Sequence, residues 1–363
     1  MRIPRYVISL VLCSVSWQPA AAGNLVKVWE LDLSKWNKTT GGNADKFPVA
    51  ALSFLPDGKQ IAITGTEAQD GGGKLVGLVL VISVGGTAGD VKSFDADPMS
   101  AFLRWSPSGD AILVNDLLIG LDRGAVCKMP NTGWFISENE LVGYKHEGPS
   151  HTATRFTTFD KTCHPVKAWE TSVRWNILDA SAERHLLLVN RFLNENQLVD
   201  PGDGHVVRRW PGGGAPGSLG PGGEFADRGT ALCEPVDVEK DTGAEMRCWK
   251  TDTGELIGNS STHDATAPYA VSMSSTRVVF SEAGRVPAPI PDMGTYSYKD
   301  AVVWDFATGE RLASWRPRTQ TWMELGWHLQ KKVVEPSKFA ISADGRFVAE
   351  GGDGRIIVCR VDP

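Results

Sequence analysis

Lys299–Trp315, KDAVVWDFATGERLASW, is the stretch whose reading decides the fold. From Ala301 to Phe306 β-branched and aromatic residues alternate as they do along a strand, and Arg311–Trp315 resumes the alternation. Between them Ala307-Thr308-Gly309-Glu310 is a short polar turn, with glycine where the backbone needs a positive φ. The stretch reads as a β-hairpin.

Outward from this hairpin the chain repeats one phrase of strand, tight turn and strand. Val49–Phe54 meets Leu55-Pro56-Asp57-Gly58 and continues as Lys59–Thr64. Ala101–Trp105 meets Ser106-Pro107-Ser108-Gly109 and continues as Ala111–Val114, and Phe339–Ser342 passes through Ala343-Asp344-Gly345 into Arg346–Ala349. Ser218–Gly223 before Glu224–Ala226 is a glycine-rich copy. Fainter copies lie at Trp134–Tyr144, Ser172–Val189 and Ala270–Phe280, where the alternation persists without the proline-glycine turn. From Pro56 to Ala343 the seven units have a pitch of about 48 residues, a little above the roughly 40–45 of a four-stranded propeller blade. Such a unit cannot bury both faces by itself, so the units must stack around an axis. The expected fold is all-β: a single propeller of seven four-stranded blades over residues 23–363.

Residues 1–22 read as a secretory signal. Arg2 and Arg5 supply a positive start, Val7–Val15 is an apolar run too short to span a bilayer, and Ala20-Ala21-Ala22 offers a small-residue cleavage site before Gly23. The expectation is a secreted or periplasmic protein with no membrane span after cleavage; an uncleaved anchor is the competing reading. The formal net charge of −6 would become about −8 on losing the two arginines, which gives no electrostatic reason to favour nucleic acid or an anionic lipid surface. Arg208 and Arg209 beside Trp210 form only a short basic cluster.

Five cysteines remain after cleavage, and the odd number leaves at least one outside any intramolecular pair. Cys233 and Cys248 are expected to pair, on neighbouring strands joined by Glu234–Glu245, whereas Cys127 and Cys163 are expected in equivalent outer strands of successive repeats, too far apart to bridge.

Val302-Val303-Trp304-Asp305 with Thr308-Gly309-Glu310, Cys248-Trp249-Lys250 with Thr253-Gly254-Glu255, and the Pro-Asp-Gly and Ala-Asp-Gly turns resemble WD-repeat β-propellers and their bacterial WD-like relatives. The glycine-histidine dipeptide usual before the inner strand of such repeats is missing. The final unit stops one strand short, and Leu25–Leu33 is spare. Pairing it as the outer strand of the last blade would close the ring and hide an exposed edge. Alternatively it belongs to a first blade or packs across it.

Turns between first and second strands and between third and fourth strands share one rim and are mostly short. The other rim is expected to receive Gly65–Lys74, Glu234–Glu245, Ser281–Asp300 and Arg316–Pro336 as long loops. Ser281–Asp300 carries Pro287, Pro289 and Pro291 with Met293, Tyr296 and Tyr298, and Arg316–Pro336 holds Trp322, Met323, Trp327 and His328 within a short amphipathic helix. These aromatics suit a protein, peptide or glycan partner, or else they fold back to seal the end of the ring.

Motifs for chemistry are sparse. His146, Glu147 and His151 lack the spacing that puts two metal ligands on one helical turn, and Asp200–Gly204 reads as a turn without the ligand series of a calcium loop. No GxSxG occurs, and the runs Gly71–Gly73 and Gly212–Gly214 have no following helix or phosphate-binding lysine motif and read as flexible loops. No cofactor or metal is expected. The leading function is a noncatalytic binding scaffold working through its long-loop rim. The alternative is a propeller enzyme, a hydrolase or quinone-cofactor dehydrogenase, whose acids would converge at the mouth of the central channel.

Overall fold

The computed structural model describes residues 25–36, 49–68, 75–87, 90–96, 102–148, 151–191, 195–211, 223–239, 243–260, 265–287, 295–315, 317, 338–352 and 354–362. The expected signal, residues 1–22, lies outside them.

The first strand, β1 (Leu25–Asp32), stands apart from those that follow it in the chain. Blade 1 comprises β2 (Val49–Phe54), β3 (Gln60–Ala68), β4 (Leu75–Ser83) and β5 (Lys92–Ala96). Blade 2 comprises β6 (Leu103–Trp105), β7 (Ala111–Val114), β8 (Leu117–Gly120) and β9 (Gly124–Lys128). Blade 3 comprises β10 (Gly133–Phe135), β11 (Glu140–Glu147), β12 (Ala153–Asp160) and β13 (Pro165–Thr171). Blade 4 comprises β14 (Trp175–Ser181), β15 (Leu186–Arg191), β16 (Glu195–Val199) and β17 (Val206–Pro211). Blade 5 comprises β18 (Glu224–Ala226), β19 (Ala231–Glu239), β20 (Gly243–Lys250) and β21 (Leu256–Asn259). Blade 6 comprises β22 (Ala265–Val271), β23 (Arg277–Pro287), β24 (Thr295–Asp305) and β25 (Glu310–Trp315). Blade 7 takes three strands from the end of the chain, β26 (Lys338–Ile341), β27 (Phe347–Gly352) and β28 (Arg355–Val361), and its fourth is β1.

The spare strand therefore closes the ring. Leu25 pairs with Val361 and Asp32 with Arg355, in antiparallel register. The Leu33 N–H donates to the Gly354 carbonyl at 2.7 Å, and Trp29 Nε1 reaches across to the Gly86 carbonyl of blade 1 at 3.0 Å. The first and last described strands thus share one sheet.

The core is divided by the blades. Its buried apolar residues form seven clusters, one at each interface between neighbouring blades. A middle strand faces a neighbour on both sides, so it reads as a continuous apolar run; Val79, Leu80, Val81 and Ile82 of β4 are all buried. The hairpin of blade 6 shows how one strand serves two interfaces. Val302 and Trp304 pack with Cys233 and Cys248 of blade 5, while Ala301 and Val303 pack with Phe339 and Val348 of blade 7. The turn after it is held by Asp305, whose Oδ1 accepts from the Ala307 and Thr308 N–H groups and from Thr276 Oγ1, and Gly309 takes a φ of 75°. The acid after the tryptophan is a turn residue here.

Two expectations need correction. Cys127 and Cys163 are joined by a disulfide, with Cα atoms 6.0 Å apart. Cys163 is not in an outer strand but in the turn before β13, and that turn leans on β9 of the preceding blade, where Cys127 sits. Cys233 and Cys248 face each other across β19 and β20 and are disulfide-bonded. Cys359 belongs to neither bridge. Second, the described residues of three of the supposed long loops are strand. β3 and β4 pair as far as Ala68 and Leu75, β19 and β20 as far as Glu239 and Gly243, and β23 and β24 as far as Pro287 and Thr295. Prolines and polar residues mislead there because a two-stranded ribbon in solvent needs no apolar alternation. The fourth segment, 318–336, lies outside the described residues.

Trp304, 3% exposed, fills the interface between blades 5 and 6. Trp304→Ala is expected to cost about 3–5 kcal/mol, measured as a lowered denaturant midpoint with an unchanged slope; a change within about 0.5 kcal/mol would contradict its place in the core.

Candidate functional site

The inner strands of the seven blades surround a central cavity of about 210 Å³. Pro107, Ala182, Glu183, Gly229, Met273 and Ala343, which belong to turns between first and second strands, line it. The cavity therefore opens on the short-turn rim, away from the projecting hairpins.

Four polar side chains from four blades meet inside. Arg104 of β6 stands between Leu103 and Trp105, which are buried against neighbouring blades, so the strand's alternation turns Arg104 to the channel. A bulge between Ile177 and Asp179 interrupts β14 and aims Asp179 inward. Glu224 begins β18 and Tyr269 lies in β22. Asp179 Oδ2 accepts the Phe225 N–H at 2.9 Å, and Asp179 Oδ1 lies 3.5 Å from Arg104 Nε. Arg104 Nη1 donates to the Leu103 carbonyl, and Arg104 Nε, buried, makes no hydrogen bond among the described residues.

Burial dominates the protonation of this cluster. It pushes the Glu224 carboxyl up to about 7; Arg104 opposes the rise and the Asp179 charge adds to it. Asp179 is raised for the same reason, against the pull of Arg104 and of the Phe225 N–H. The Tyr269 hydroxyl is raised well above its ordinary value by burial and by Glu224, Glu234 and Asp179. One guanidinium thus faces two carboxyl groups that cannot both be charged at low cost.

A second polar chain runs behind it through the interface of blades 4 and 5. Asn190 Nδ2 donates to Asn196 Oδ1 at 2.7 Å, and Asn196 Nδ2 donates to Glu234 Oε2 at 3.1 Å. Burial pushes Glu234 up to about 7, against hydrogen bonds from the Gly223 N–H and Asn196, and its Oε1 is buried without a hydrogen-bond partner among the described residues. That interface has the smallest buried apolar cluster, Leu188, Leu198, Phe225 and Leu232.

Elsewhere the structure is plain. His146 is held between Thr154 Oγ1 at 3.2 Å and Asn176 Oδ1 at 3.0 Å, and burial lowers its pKa. Among the described residues no group of three or more metal-ligating side chains gathers. Asp200–Gly204 is a turn, with the Gly202 N–H on Asp200 Oδ1 and the Gly204 N–H on the Asp200 carbonyl.

Of the rim residues named from sequence, Tyr296 and Tyr298 lie in β24, opposite Val286 and Gly284. Met293, Trp322, Trp327 and His328 lie outside the described residues. The channel cluster was not singled out from the sequence. Its signal was present: a charged residue just before the turn in an otherwise apolar inner strand, as in Leu103-Arg104-Trp105 and Leu178-Asp179-Ala180.

No family model matches the chain, and no curated protein matches it. Solved structures do. The chain is similar to one in the crystal structure of the mitotic checkpoint complex, at 13% identity and a TM-score of 0.58, covering 95% of this chain and 98% of that one. The chain has the fold of a WD40 propeller. The C-terminal WD40 domain of Sif2 is similar at 11% identity and a TM-score of 0.53, covering 90% of this chain and 85% of that one. The β-propeller domain of Myceliophteria thermophila Cps50 (Swd1) is similar at 12% identity and a TM-score of 0.54, covering 90% and 98%. At these identities the likeness to WD40 propellers is one of fold.

Glu234 gives the polar interface a pH signature. Its carboxyl holds a proton up to about pH 7 when folded but releases it near its ordinary 4.5 when unfolded, so its contribution to stability falls as pH rises from about 4.5 to about 7. Glu234→Gln is expected to stabilise the protein by on the order of 1–3 kcal/mol at pH 8 and to be close to neutral at pH 5. Equal effects at the two values in thermal unfolding would contradict the buried, protonated Glu234.

Proposed function

We propose that this protein is an exported, noncatalytic scaffold that holds a protein or peptide partner on the rim from which the hairpins of blades 1, 5 and 6 project. One observation carries the reading. From Ala283↔Lys299 to Pro287↔Thr295, β23 and β24 pair with each other and with no other described strand, so a two-stranded ribbon stands clear of its blade. Its outer edges are backbone that a partner segment would pair with by strand addition, and Tyr296 and Tyr298 lie on it. The shorter extensions of β3–β4 and β19–β20 reach the same rim. A rigid ring that carries such ribbons presents a wide contact surface at little ordering cost.

Export is supported by residues 1–22 and by the two disulfides, which persist in an oxidising compartment. The fold likeness to a chain of the mitotic checkpoint complex, itself an assembly, is in keeping with a scaffold. A glycan partner fits less well, because the ribbon offers backbone edges. The channel acids that would accompany an enzyme do converge, but Asp179 is already engaged by Arg104 and the Phe225 N–H.

Because Ala283 and Lys299 are paired, residues 284–298 can be replaced by a two-residue Asn-Gly turn without touching the pairs within the blade. The trimmed protein is expected to keep its melting temperature and to lose the partner recovered by the full-length protein from the extracytoplasmic fraction. Recovery of the same partner in the same amount by both proteins would contradict the ribbon's role.

A further inference from the structure

We propose that the central cavity is a binding site for a small organic cation, a primary alkylammonium, entering from the short-turn rim. The ledger of lining charges points there: Arg104 stands against Asp179 and Glu224 inside and Glu183 at the mouth, one positive group against three carboxyl groups. Arg104 lies 3.5 Å from Asp179, which also takes the Phe225 N–H, and it pulls on Glu224 as well. One guanidinium thus serves two buried carboxyl groups and cannot balance both, and Tyr269 adds a second polar group beside Glu224.

Apart from Ser53 and Ser181, the uncharged lining is mainly apolar and aromatic, including Trp134, Phe225, Met273 and Phe339, which suits an alkyl body behind a cationic head. A cavity of about 210 Å³ has room for a molecule of on the order of ten non-hydrogen atoms. Burial holds the Glu224 proton to about pH 7 against the pull of Arg104 and of the Val271 N–H, with Asp179 adding to the rise, so a second positive charge is what the pair of carboxyl groups lacks. An ammonium ion supplies that charge, so its binding displaces the proton. The groups that set this exchange are Arg104 and Asp179 across the channel, Tyr269 beside Glu224, and Glu234 behind it. The site lies on the opposite rim from the ribbons, so it operates independently of the scaffold reading and fails separately from it.

Calorimetric titration of the full chain with n-butylammonium chloride tests the proposal, with n-butanol as the uncharged probe of equal shape. One-to-one saturable binding of the ammonium at pH 8 is expected, weaker by roughly thirtyfold at pH 5.5, where Glu224 is protonated. Titrations at pH 7 in two buffers of different ionisation enthalpy should reveal proton release on binding. Glu224→Gln, with folding checked by its melting temperature, should weaken binding at least about tenfold. Binding of butanol equal to that of the ammonium, affinity independent of pH, or no saturable binding at all would each overturn the proposal, and the wild-type pH and buffer series does so even if the variant fails to fold.

Discussion

Apolar packing between blades is the constraint on which this structure depends. Each blade is a four-stranded sheet with two apolar faces, and each face is buried only against a neighbour. The requirement passes from blade to blade until the ring closes, and closure falls to the interface of blades 7 and 1. There Leu31 and Leu33, Val49 and Leu52, and Ile356 and Val358 share one cluster, so the first described strand and the last serve the same core. The first described strand, as the outer strand of the last blade, thereby removes the edge that an open array would leave.

The packing also explains where polar groups are tolerated. Six interfaces are filled mainly by side chains such as Phe156, Phe280 and Ile112, but that of blades 4 and 5 buries few apolar groups and carries the Asn190, Asn196 and Glu234 chain instead. At the inner edge of the same region the strands part around the channel, where Asp179 and Glu224 lose water and share the single guanidinium of Arg104. Such buried, partly satisfied polar groups cost stability, and their cost marks them as functional candidates. The two rims divide the work: ribbons on one, a cavity mouth on the other.

Much of the ring was legible in the sequence because tight turns leave residue-level marks. Pro56-Asp57-Gly58, Ser106–Gly109 and Ala343-Asp344-Gly345 each end an inner strand, and Gly58, Gly109 and Gly345 all take positive φ. In blade 5 the sequence pointed to the glycine-rich Ser218–Gly223, but Glu224–Ala226 is the inner strand itself and the turn follows it, through Asp227 and Arg228 at positive φ. What escaped notice was non-local. The Cys127–Cys163 bridge depends on a turn of one blade leaning on the outer strand of another, and the ribbon of β23 and β24 depends on pairing that continues through polar residues. The meeting of Arg104, Asp179, Glu224 and Tyr269 requires the ring itself, since their sequence positions span four blades.

Ring closure by β1 is the claim most open to direct measurement, since Val26 and Arg360 face each other across the closing pair and both lie towards solvent. Oxidation of a Val26→Cys, Arg360→Cys double variant, followed by peptide mapping under non-reducing conditions, should find one intramolecular bridge between these positions in nearly every molecule, with a melting temperature raised relative to the reduced form. Thiols that remain reactive, or bridges that form only between molecules, would show that the first strand does not complete the last blade.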